Sequence, residues 1–113
     1  MKIKFKLYIV EESFLDDCTD VCGTSYIFLT AEERDTKFLQ RVIEIKKYCF
    51  ETYGKTVEEL KKDGEARLEI TSDTWFLEIN KGACIDQVKL NKTEQILEGN
   101  LDENTVWEIG GIK

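Results

Sequence analysis

Apolar and polar residues alternate from the start of the chain. Ile3, Phe5, Leu7 and Ile9 fall on one side of an extended backbone, and Lys2, Lys4, Lys6 and Tyr8 fall on the other. A period of two predicts a strand over residues 2–10, and its lysine face suits a sheet edge, where charge discourages unwanted pairing. Residues 11–24 (EESFLDDCTDVCGT) read as an acidic loop longer than a hairpin needs. Tyr26, Ile27 and Phe28 favour extended structure and predict a second strand over 25–29.

The period then changes to that of a helix. Thr30-Ala31-Glu32-Glu33 matches a capping box, with Glu32, Glu33 and Asp35 suited to the positive N-terminal turn, and Gly54 closes the helix. Phe38, Leu39, Val42, Ile43, Ile45, Cys49, Phe50 and Tyr53 fall within one arc, interrupted by Lys46, so one face is expected to pack on a sheet. Thr56-Val57-Glu58-Glu59 starts a second, short helix that ends near Asp63-Gly64. Alternation returns at Ala66, Leu68 and Ile70, then at Trp75, Leu77 and Ile79, with Thr71-Ser72-Asp73-Thr74 as a hairpin turn. A further run covers 83–90, and weaker strand candidates lie at 94–98 and 105–109. The order β-β-α-α-β-β-β, with one or two more strands, predicts an α+β fold: a mainly antiparallel sheet against one long helix, as a single domain over residues 1–113.

Composition narrows the function classes. With 113 residues the chain is too short for two ordinary domains, and 42% apolar residues with six Phe, four Tyr and two Trp are enough for a core. The formal net charge of −7 argues against direct binding to nucleic acid or to anionic membranes. No stretch approaches a membrane span, and the lysines near the N-terminus interleave with apolar residues where a signal peptide would place them before an apolar run. Four cysteines are too few for a disulfide scaffold, which leads to the expectation of reduced thiols and a cytoplasmic location. Histidine is absent, which removes imidazole metal ligands and His-dependent nucleophilic catalysis. The phosphate-cradling glycine motifs are missing as well.

Charge is positioned along the chain. The first strand carries three lysines, the loop carries Glu11, Glu12, Asp16, Asp17 and Asp20, and the C-terminal segment sets Glu94, Glu98, Asp102, Glu103 and Glu108 against Lys113. Acidic segments of this kind steer a basic protein partner into contact. Phe14-Leu15 in the loop and Trp107 near the C-terminus, apolar residues that the core pattern does not explain, fit either a cover for the sheet's open end or, ringed by charge, the anchors of a protein interface. Glu11, Glu12, Phe14, Asp16, Asp17, Asp20, Asp102, Glu103 and Trp107 are therefore the expected partner-binding residues, with no catalytic residue, metal or cofactor. The corresponding function is a non-enzymatic acidic protein-binding module. Its narrower form is an inhibitor or immunity-type protein, such as a phage or mobile element encodes, that blocks a basic nucleic-acid-handling partner by mimicking nucleic acid.

The second reading is a metal- or redox-responsive protein using Asp16, Cys18, Asp20 and Cys22. Zinc would require four ligands, but no further cysteine pair or histidine completes the set. A calcium loop counted from Asp16 would place Val21 and Ile27 where Gly and Glu are needed. Cys49 and Cys84 read as small buried hydrophobes. A hydrolase using carboxylates alone is the third reading. Glu69 and Glu78 face each other across the expected hairpin, but they lie on a face that reads as solvated.

Overall fold

A computed structural model describes residues 2–16, 22–81, 84–100 and 107–109. Eight elements follow in order: β1 (Lys2–Asp16), β2 (Cys22–Phe28), α1 (Ala31–Tyr53), α2 (Val57–Lys62), β3 (Ala66–Ile70), β4 (Thr74–Lys81), β5 (Cys84–Asn100) and β6 (Trp107–Ile109). The strands form one antiparallel sheet in the order β2-β1-β5-β4-β3, with β6 paired to β5. This is the expected α+β class, a sheet with one long and one short helix.

Two boundaries differ from the pattern in the sequence. The first strand does not stop at Val10. It continues through the acidic residues to Asp16 and returns as β2 in a hairpin, with Val10 opposite Tyr26 and Phe14 opposite Cys22. Residues 11–16 are thus ladder, where a loop was expected. The two runs at 83–90 and 94–98 are likewise one 17-residue strand, β5, which pairs with β1 from Lys2↔Asn100 to Asp16↔Asp86. Its polar middle pairs with β1 at Asn91↔Glu11, Lys92↔Val10 and Thr93↔Ile9, and the Lys92 N–H donates to the Asp73 carbonyl at 2.8 Å. The Lys92 ammonium also lies over the Phe38 ring, 3.5 Å from Asp35. Tertiary partners replace the local signal that a strand would otherwise need.

The helix ends follow capping chemistry. The Glu33 N–H donates to Thr30 Oγ1, but the returning Glu33 carboxylate meets the Thr30 hydroxyl at 2.9 Å and not its backbone, so only half of the capping box forms. At α2 both halves form, between Thr56 and Glu59. Gly54 ends α1 with φ of 70°, a left-handed position that glycine adopts without strain, and its N–H donates to the Phe50 carbonyl. In the β3–β4 turn the Asp73 and Thr74 N–H groups donate to Thr71 Oγ1.

The core lies between α1, α2 and one face of the sheet. Val10, Trp75, Leu77, Ile79, Val88 and Leu90 meet Phe38, Ile45 and Cys49 from α1 and Val57 and Leu60 from α2. The helix buries a narrower stripe than its apolar arc suggested. Phe38, Ile45 and Cys49 point inward, whereas Leu39, Ile43 and Phe50 are more than half exposed. Lys46, the charged interruption, pairs with Glu58 of α2 at 3.0 Å. Cys49 is buried, as expected, while the side chain of Cys84 lies outside the described set. No described helix is long and apolar enough to cross a membrane.

Candidate partner-binding surface

The β1–β5 ribbon separates the two acidic segments. Asp16 pairs with Asp86 at one end, while Ile3 pairs with Gly99 and Gly99 with Trp107 at the other. Thirteen residue steps separate Ile3 from Asp16, a span of roughly 43 Å at strand rise. The molecule is correspondingly long, with principal extents of 59 × 28 × 21 Å. The Trp107 backbone, together with Glu94 and Glu98, therefore lies far along the ribbon from the acidic hairpin. Glu94 and Glu98 instead pair with the first strand's lysines, at 2.9 Å to Lys6 and 3.2 Å to Lys4. Asp17, Asp20, Asp102 and Glu103 lie outside the described residues, as does Cys18 of the alternative metal or redox loop.

At the hairpin end, alternation along β1 divides the candidates. Glu12 and Phe14 share the helix-facing side with Val10, and Glu11 points to the opposite face, where it is exposed. Glu12 is not a free carboxylate. The Arg41 guanidinium holds it in a fork, Nε to Oε1 at 2.6 Å and Nη2 to Oε2 at 2.8 Å, with 15% of the Glu12 side chain exposed. Arg41 also donates to Glu44 one turn further along α1. Its hydrogen bonds to Glu12 raise the guanidinium pKa above its already high value, so the fork stays charged. Phe14 packs against the core cluster, which makes it a wall more than a protruding anchor.

These side chains line a cleft of about 350 Å³ between α1 and the sheet, with Glu12, Arg41 and Glu44 on its polar side and Phe14, Tyr48 and Val88 on its apolar side. Beyond it, the Tyr53 hydroxyl donates to Asp86 Oδ2 at 2.5 Å. Asp16 and Asp86 are register partners at this end of the ladder. The Tyr53 hydrogen bond spreads the charge of the Asp86 carboxylate. Sequence patterning marked Tyr53 only as one residue of the apolar arc, and Arg41, Tyr48 and Asp86 carry no local motif, so it had not marked them. Only their convergence from α1 and β5 onto the hairpin does so. Among the described residues no three Cys, Asp or Glu side chains converge on a metal-sized site.

Burial, reinforced by Asp86, pushes the Tyr53 hydroxyl and the Cys49 thiol above their ordinary values of 10.0 and 9.0. The unfolded chain therefore ionises these groups first, while the fold keeps them protonated. Their contribution to stability is full below the unfolded values and declines as pH rises through the folded ones. Urea midpoints should accordingly fall from about pH 8 to about pH 11, and Tyr53→Phe should flatten that decline. An unchanged slope in the variant would assign the alkaline loss to other groups.

Searches against protein-family models, curated proteins and solved structures found no match to this chain.

Proposed function

We propose that this protein is a non-enzymatic binding module that presents the acidic β1–β2 hairpin end to a basic protein partner. The observation that supports this reading most is the uneven neutralisation of its acids. At the far end of the ribbon, Glu94 and Glu98 are matched by lysines of β1. At the hairpin end, Glu11 is exposed and Asp86 is held by a neutral hydroxyl, and the sequence adds Asp17 and Asp20 directly after β1. Acids grouped at the hairpin end orient an approaching basic surface and raise its on-rate. The Glu12–Arg41 fork supplies a rigid base for that end, because a bidentate pair fixes geometry as well as charge.

The narrower reading is an inhibitor whose carboxylates occupy a groove built for nucleic acid. Immobilised protein should capture basic proteins at low salt and release them as ionic strength rises. A captured enzyme should lose its nucleic-acid binding in proportion to occupancy. Charge reversal at Glu11, Asp17 and Asp20 together should weaken capture by about tenfold or more. Capture that ignores both salt and charge reversal would reject the electrostatic reading. Capture that persists while the partner still binds nucleic acid would reject only the inhibitor form.

A further inference from the structure

The sheet ends on β3, which pairs with β4 on one side and, among the described residues, with no strand on the other. Hydrogen bonding along the paired side fixes which groups point outward. The Thr71 N–H donates to the Thr74 carbonyl at 2.9 Å and the Asn80 N–H to the Glu65 carbonyl at 2.8 Å, both in the β3–β4 register. Bonded and unbonded pairs alternate along an antiparallel ladder, so Arg67 and Glu69 also turn their main chain toward β4. Ala66, Leu68 and Ile70 then turn their N–H and C=O groups to the outer edge. Their side chains lie on the helix-facing side, where Ala66 and Leu68 pack against the core and Ile70 is 65% exposed. Arg67 and Glu69 occupy the opposite face, each with 60% of its side chain exposed.

We propose that this edge pairs with the same edge of a second copy, joining two sheets into one across a two-fold axis at Leu68. The segment Ala66-Arg67-Leu68-Glu69-Ile70 is self-complementary when run antiparallel to itself. Centring on Leu68 sets the outward-turned residues opposite one another, Leu68 on Leu68 and Ala66 on Ile70, the arrangement that exchanges main-chain hydrogen bonds. The same centring sets Arg67 of each copy opposite Glu69 of the other. These are the unbonded, closer pairs of the ladder, at about 4.5 Å between Cα atoms, where opposite charges attract and like charges repel. Within one chain Arg67 already lies 3.6 Å from Glu69 and from Glu78, with its guanidinium over the Phe76 ring at 5.4 Å. Such exposed contacts are weak, and the pairing does not require Arg67 to be free: the second copy brings one more carboxylate to face it. A strand edge carrying charges of one sign repels itself, whereas opposite signs on either side of a central leucine select a like copy. The exposed Ile70 gains Ala66 of the second copy as its neighbour. β3 and β2 are opposite edges of the sheet, so this pairing leaves the acidic hairpin open and does not depend on its function.

Sedimentation equilibrium of the full chain from micromolar to millimolar concentration should show a reversible monomer–dimer equilibrium, a weak one because a five-residue ladder is a small interface. Arg67→Glu and Glu69→Arg, taken singly, each set like charges opposite one another and should weaken dimerisation by about tenfold or more. An equimolar mixture of the two variants restores opposite charges across the axis and should form a heterodimer that neither forms alone. The doubly reversed Arg67→Glu/Glu69→Arg keeps the in-strand pair and should dimerise like the original chain, which separates the interface from any effect on folding. Ile70→Pro removes one outward N–H per copy at an edge position that tolerates proline, and should weaken the dimer while the circular dichroism of the monomer stays the same. A chain that remains monomeric throughout would overturn the proposal and leave the edge to a different partner's strand. A dimer indifferent to the single reversals, or a mixture that associates no better than its components, would overturn it in favour of another surface.

Discussion

Replacing Leu90 with alanine is expected to cost about 3 kcal/mol of folding stability. Leu90 is fully buried and sits at the crossing of the fold, paired with Glu12 of β1 on one side and Trp75 of β4 on the other. Removing its side chain opens a cavity between strands that are tied on both edges and cannot close over it, so the loss exceeds the transfer energy of the missing methyl groups. Chemical denaturation should show a lower midpoint with an unchanged slope, because the surface exposed on unfolding hardly changes. Leu90→Met should cost less than half as much, since it nearly conserves volume. A loss below about 1 kcal/mol for Leu90→Ala would mean that the strands relax into the space and that β5 is not the rigid spine described here.

Arg41→Ala should be the most damaging change to the hairpin end, at about 2 kcal/mol. It removes both arms of the fork and leaves the mostly buried Glu12 carboxylate without its bidentate partner. Arg41→Lys keeps the charge but loses the planar fork, and should recover only part of the loss. The informative measurement is a double-mutant cycle with Glu12→Ala. A coupling energy above about 1 kcal/mol would distinguish this pair from ordinary surface ion pairs, which contribute little. The same variant should raise the rate of proteolysis in residues 11–24, because α1 would no longer tie down the hairpin. A coupling near zero with unchanged proteolysis would show that packing of Phe14 alone holds it.

These two residues illustrate what could be read locally. Val88 and Leu90 alternate with Gln87 and Lys89, and the burial of Leu90 follows from that alternation. Arg41 is one more charged residue on a helix flank, and nothing within a turn of it indicates a carboxylate 29 positions earlier in the chain. The acidic stretch 11–16 was legible as a candidate surface, because clustered charge is a property of the chain. Its extended conformation was not, because acids are poor strand formers until a guanidinium and a neighbouring strand neutralise and pair them. The exposed stripe of Leu39, Ile43 and Phe50 follows the same logic. Helical periodicity places eight apolar residues in one arc, but the sheet beneath is wide enough to cover only part of it.

Strand periodicity, two helices with their caps, the hairpin turn at 71–74 and the α+β class were determined by the sequence alone. Each rests on interactions between residues a few positions apart: alternation, i to i+3 capping and turn hydrogen bonds. The charge segments were equally plain as composition. Only the tertiary structure decided that β5 runs unbroken beside β1, and this single pairing sets the outcome for charge. An antiparallel ribbon of that length carries Asp16 to one end and Glu98 to the other, where Glu98 and Glu94 meet Lys4 and Lys6 of β1. Register between distant strands is a non-local choice, settled by which faces bury together, and no local pattern in either strand encodes it.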